Sequence, residues 1–451
     1  MSNKTYKVFV DKMGGTPADQ YIADEGELFF DPETSALRIG DGTPGGMLVG
    51  IDSAFGDQIA IGTRAGNEGQ DNYAIAIGYE AGELNGQGDS AIAIGVNAGG
   101  DNQRQEAIAI GLEAGYDNQR YHAVAIGSWA GYEGQSPAAV AIGRSAGNSD
   151  QRSSAVAVGS RAGQSSQKQN AVAVGHYAGN CNQDEYSVAI GYDAGTWYQG
   201  THAIAIGEQA GCCNQDDYAV AIGYHAGGDS GDNGENQAEA AIAIGKYAGG
   251  TDQSQEALAV GVYAGQTRQR YHAVAFGANA GNFEQSAGAT AIGRSAGYTG
   301  QGSSAVAVGS RAGEENQSYD AVAVGHYAGQ YDQGWSSVAI GYEAGNDSQA
   351  ERAIAIGYDA GNYSQDNYGI AIGYKAGESS QASESIAIGA YAGRVDQHQN
   401  TIVLNGTGND LNTTDPSSTY VKPIRTVTDI TDLLPLYYNP TTGEIVQYNA
   451  I

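Results

Sequence analysis

The chain has 451 residues, enough for two or three globular domains, yet 69 of them are Gly and only 8 are Pro. Acidic residues outnumber basic ones by 51 to 21, and the formal charge of −30 repels phosphate backbones and anionic lipid. No window approaches 18 consecutive apolar residues, and the start (MSNKTYKVFVDKMGG) lacks an apolar signal-type stretch. Nucleic-acid binding, membrane insertion and Sec export are therefore not expected.

In chain order, the first expected unit is a small module over residues 1–53. Glu27-Leu28-Phe29-Phe30-Asp31-Pro32 runs into Ala36-Leu37-Arg38-Ile39-Gly40-Asp41-Gly42. This reads as an apolar strand, an Asp-Pro turn, a second strand and a Gly-Asp-Gly turn.

Residues 54–405 form a repeat array. The block Ala74-Ile75-Ala76-Ile77-Gly78 recurs with close variants twenty-one times, from Gly62 to Gly389. Eighteen of the twenty spacings are 16 residues, one is 17 and one is 22. The longest comes from an insertion around Gly228-Asp229-Ser230-Gly231-Asp232-Asn233. Each repeat has an Ala-Gly pair after its first glycine, then a Gln. Thr401-Ile402-Val403-Leu404-Asn405 fills the next slot with Asn in place of Gly.

Two glycines per unit would cost a helix about 1 kcal/mol each, whereas alternating Ala and β-branched residues read as strand. Each unit is one coil of a parallel β-solenoid with two short strands and two turns. Stacking neighbours must bury what a single coil cannot. Twenty-one coils at ~4.8 Å make a rod about 100 Å long. Seven prolines lie outside the array and Pro137 falls in a turn slot, as continuous ladders require.

The alternation puts the isoleucines on one face and the alanines on the other. The expectation is that the large side chains fill the coil and the alanines meet other chains along the axis of a homo-oligomer. A longer duplication, residues 141–195 recurring at 291–345, marks growth by whole blocks of coils. Gln119-Arg120-Tyr121-His122 likewise recurs as Gln269-Arg270-Tyr271-His272.

Several residue sets could carry chemistry. The glutamines (Gln70, Gln87, Gln103, Gln119, Gln135, Gln151, Gln167, Gln183 and onward to Gln397) are read as a structural amide ladder. Tyr342, Tyr358 and Tyr374 share a slot in consecutive coils and are candidate glycan contacts, with plain stacking as the simpler reading. Glu343 and Asp359 would sit at a retaining-glycosidase spacing, but a flat face offers no cleft to split their pKa values. No residue is assigned a catalytic role, and no cofactor is expected.

His122, His202 and His272 share a slot several coils apart, too far for a common metal, and no metal site is assigned. Cys181 and Cys213, two coils apart, exceed disulfide reach; with Cys212 they read as free thiols. The acidic turns at Asp216-Asp217, Glu314-Glu315 and Asp229, Asp232 and Glu235 serve solubility rather than calcium.

The repeat resembles the head of trimeric autotransporter adhesins. That resemblance implies a left-handed, homotrimeric parallel β-roll. The 27–42 hairpin resembles the N-terminal element of phage tail-fibre proteins. Tyr420-Val421-Lys422-Pro423-Ile424-Arg425 and Leu436-Tyr437-Tyr438-Asn439-Pro440-Thr441-Thr442-Gly443 resemble the segment after such repeats in viral fibres. Together they imply a virion fibre. Residues 1–53 would join it to other virion proteins, residues 406–451 would be a β-rich tip, and a host glycan or receptor would be the target. A cell-surface adhesin is the alternative, and a polysaccharide-degrading tailspike the weaker third.

Overall fold

The computed structural model describes the backbone of three early strands, residues 58–228 apart from 68, residues 237–427 and residues 436–447. All regular structure among them is strand, with no helix.

Each Ala-Ile-Ala-Ile block folds as a three-residue strand, and twenty-three strands join in one parallel sheet from Ile59–Ile61 to Thr419–Lys422. Equivalent residues pair directly, as in Val124↔Val140, Ala125↔Ala141 and Ile126↔Ile142. The two end strands each pair with a single neighbour, so the sheet is open. It also runs one rung past Asn405, because Thr419–Lys422 pairs with Ile402–Asn405.

The second face is thinner. Strands such as Cys181–Gln183, Trp197–Gln199 and Cys213–Gln215 form short parallel ladders, and elsewhere single bridges such as Gln237↔Gln253 continue the line. Each coil is thus one regular strand plus one strand or bridge.

Five left-handed residues per coil close the loop within sixteen positions. In one coil they are Gly111, Glu113, Gly115, Asn118 and His122. Gly111 stands at φ 134°, and a Cβ there would lie 2.7 Å from the carbonyl oxygen of Gly127 on the next coil. A Cβ on Gly115 would come within 2.8 Å of the Gln119 side chain. The two glycine columns are therefore required by close approach as well as by φ.

This tight closure overturns the expected sidedness. The alanines, not the isoleucines, face inward: Ala109, Ala114, Ala125 and Ala130 are fully buried, and so are their counterparts from Ala76 to Ala392. The large residues that alternate with them point outward, with Ile142 37%, Ile340 38% and Phe276 53% exposed. A coil this narrow has room for alanine methyls and one Gln carboxamide per rung. It has no room for a row of isoleucines. The roll therefore cannot meet another chain through its alanines, and what it offers is an aliphatic stripe about 100 Å long.

Outside the roll, Leu28–Asp31 pairs antiparallel with Ala36–Ile39, which also pairs with Met47–Val49. The expected hairpin strands are present with a third added, while both its turns lie outside the described residues. Leu436–Tyr438 and Ile445–Gln447 form a second antiparallel hairpin.

Candidate functional site on the lateral faces

The glutamines form an uninterrupted spine. Gln119 is fully buried; its Nε2 donates to Ile108 O at 2.8 Å and to Gln135 Oε1 at 3.0 Å. A longer contact reaches Ala123 O at 3.3 Å. The same amide-to-amide bond links Gln70 to Gln87, Gln87 to Gln103, Gln103 to Gln119, Gln135 to Gln151, Gln151 to Gln167 and Gln167 to Gln183. It continues to the Gln381–Gln397 pair. Every donor points toward the higher-numbered coil. Inside a dry interior such a chain satisfies backbone carbonyls and polarises itself. It leaves no free amide for a ligand.

The tyrosine slot is a stacked row. Tyr342 and Tyr358 lie 4.9 Å apart at 9°, and Tyr358 and Tyr374 lie 5.3 Å apart at 23°. His326 stacks on Tyr342 from below, and Tyr391 meets Tyr374 edge-on. The Glu343 carboxylate bonds the Tyr342 hydroxyl and sits beside it, pushing that phenol up to about 12. The three rings are 39–46% exposed, with their edges outward and their faces used on one another. A sugar could reach only edges and hydroxyls along this row.

The carboxylates beside it are engaged as well. Asp359 takes an ion pair from Lys375 at 3.2 Å, and Lys375 also reaches Glu378 at 2.6 Å. Arg394 then bridges Glu378 at 2.6 Å and Asp410 at 3.1 Å. Burial works to raise the Glu378 pKa, but the hydrogen bonds and charges of Arg394 and Lys375 outweigh it and hold the carboxyl below its ordinary value. Asp359 is thus one member of a charge lattice that spans the last coils, while Glu343 stays outside it and accepts from Asn362 Nδ2 at 3.4 Å.

The histidines stay apart. His122 pairs with Glu106 at 3.1 Å and His272 with Glu256 at 3.2 Å, while His202 is sandwiched between Tyr186 and Tyr218. Among the described residues no three His, Cys, Asp or Glu come together as a metal-binding group. Cys181 and Cys213 each pair with Trp197, which separates them by two rungs. Asp217 accepts from Thr201 N at 2.7 Å, and Glu314 accepts from Gln330 at 2.5 Å. Asp229, Asp232 and Glu235 lie outside the described residues.

One line escaped the sequence reading. The residues directly after the spine glutamines include Arg104, Arg120, Ser136, Arg152 and Lys168 on five consecutive coils. Aligning the repeats on Gln would have shown it. No family model, curated protein or solved structure matches the chain.

Proposed function

We propose that this chain is the shaft of a non-catalytic, self-assembling fibre carried on a virus particle, where it holds an attachment surface away from the particle. The reading is of a homotrimer. Residues 1–53 would anchor it to other virion proteins, and the far end or the flanks would meet a host receptor. The observation that carries it is the pairing of a continuous amide spine with an unpartnered aliphatic stripe. The spine makes one rigid column, and a stripe of that length exceeds the few hundred Å² that monomers usually expose. Burying it against further copies of the same in-register stripe would match rung to rung, and the terminal resemblances supply the viral setting.

Native mass in solution, with negative-stain images of the same sample, tests the assembly. A mass near three times 46.4 kDa in rods about 100 Å long is expected. A monomer would sink the self-assembly reading. Co-sedimentation of the chain with purified particles tests the location, and recovery on cell surfaces instead would favour the adhesin.

A further inference from the structure

We propose that the line Arg104, Arg120, Ser136, Arg152 and Lys168 is a binding track for a linear acidic polysaccharide lying along the roll. The proposal deepens the attachment reading above and rests on it.

The geometry of the line is fixed by the backbone. Arg104 N donates to Gln119 O, Arg120 N to Gln135 O, Ser136 N to Gln151 O and Arg152 N to Gln167 O, each at 2.9 Å; Lys168 N donates to Gln183 O at 2.8 Å. Consecutive members therefore stack one rung apart, ~4.8 Å. Arg104, Arg120 and Arg152 are exposed and Lys168 is half-buried.

Three of these four cations lack a counter-ion in a chain rich in acids. Among the described residues, Arg104, Arg120 and Lys168 make no side-chain hydrogen bond or ion pair, and Arg152 reaches only Asp150 at 3.4 Å. By contrast, Arg268 and Arg394 hold carboxylates at 2.6 Å. The adjoining line is Gln105, Tyr121, Pro137, Ser153 and Gln169, with no acid in it. Of the carboxylates on the same coils, Glu106 faces His122 and Asp117 accepts from Asn118. Residues 104–170 carry six Arg and Lys against five Asp and Glu, in a chain that carries 21 against 51. The remaining negative charge is spread along a column far longer than the ~8 Å Debye length. On these coils basic and acidic residues thus nearly balance, and the track gathers four of the six cations on one line.

The internal duplication provides a control. At an offset of 150 the same positions hold Ser254, Arg270, Ser286, Gly302 and Ser318. Those coils close with the same spine bonds, for instance Gln301 to Gln317 at 3.1 Å. The coil therefore has no structural need of cations there, and like charges on adjacent rungs oppose folding. A ligand explains the difference. An extended pyranose chain advances by about one rung per sugar, so its carboxylates or sulfates fall in step with the line. Tyr121, 47% exposed, adds one ring for sugar packing. Single-stranded nucleic acid would want an aromatic platform at successive bases, and the adjoining line has one aromatic in five.

The test uses the full chain against heparin, a carboxylate-only polyuronate, neutral dextran and an oligothymidylate at low salt. At least one acidic glycan should bind, more weakly as salt rises, and dextran should not. The quadruple variant Arg104→Ser, Arg120→Ser, Arg152→Gly, Lys168→Ser should lose at least tenfold in affinity with unchanged mass and unfolding midpoint. Arg270→Ser in the second copy should change affinity less than twofold. Absence of acidic-glycan binding, binding kept by the quadruple variant, or tighter binding of the oligonucleotide would each overturn the proposal. An assembled rod that ignores glycans sinks the track and leaves the fibre, whereas a glycan-binding monomer does the reverse.

Discussion

Gln215 donates from Nε2 to Oε1 of Gln237 at 3.0 Å, although 22 residues separate them. The bond matches those between glutamines sixteen apart, such as Gln199 to Gln215 at 3.2 Å. The longer stretch of chain between the two glutamines leaves the spine bond unchanged. In this architecture the interior keeps its rung-by-rung spacing whatever the length of chain between two rungs.

Excising residues 230–235 should therefore leave the roll intact. The junction would then read Gly227-Gly228-Asp229-Asn236-Gln237, the same order of residues as Gly99-Gly100-Asp101-Asn102-Gln103, which already forms a rung. The thermal midpoint is expected to stay within about 2 °C of the parent. A clear drop would mean that the insertion supports the coils it interrupts.

Gln285→Leu should be costly. It strands the Gln269 amide, which donates to Gln285 at 3.1 Å, and the Gln301 oxygen, which accepts from it at 3.0 Å. Buried groups left unpaired cost about 1–3 kcal/mol each, so a loss of roughly 3 kcal/mol is expected by chemical denaturation. Gln105→Leu, on an exposed turn, should cost within about 0.5 kcal/mol. Equal effects at the two sites would remove the spine from the account of stability.

The outward stripe gives a separate test of assembly. Ile292→Glu with Ile340→Glu places two carboxylates on side chains that are 40% and 38% exposed, without touching the alanine interior. Far-UV circular dichroism should be unchanged while the native mass falls. A variant that keeps the parent mass would show that the copies meet through another face.

Acid should erase the contribution of Glu378. Its pKa is lowered in the folded chain, so its stabilisation is present above the unfolded value and lost as pH falls through the folded one. Glu378→Gln is expected to cost about 1 kcal/mol near pH 7, given partial exposure, and almost nothing near pH 3. The other carboxylates titrate in both proteins, so the difference isolates this one. A penalty that persists at pH 3 would point to shape rather than charge.

Most of the architecture was legible in the residues. A period of sixteen, paired glycines and one Gln per unit repeat so often that only a stacked coil satisfies them. Sidedness was not legible. Alternation says that Ile75 and Ile77 share a face, and it is silent on whether that face is inside. The diameter decides, and the diameter follows from left-handed residues such as Glu113 and Trp129, whose types do not announce the conformation. The tyrosine row could be placed by slot, since Tyr342, Tyr358 and Tyr374 are equivalent. The lattice around Lys375 could not, because Glu378 and Arg394 reach it from a different line of the coil. The basic track is legible along the residues that follow each Gln, and a charge of −30 over the whole chain hides it.

Sixteen residues per ~4.8 Å rung advance the chain by about 0.3 Å per residue, a fifth of what a helix achieves. As a way to reach far this is extravagant. What the chain obtains is a ruled sheet of paper: identical rows, fixed line spacing, and margins set by alanine and glutamine that never vary. Any outward column can be rewritten without touching the page beneath it. Duplicating a block then supplies fresh rows on which a different line can be written.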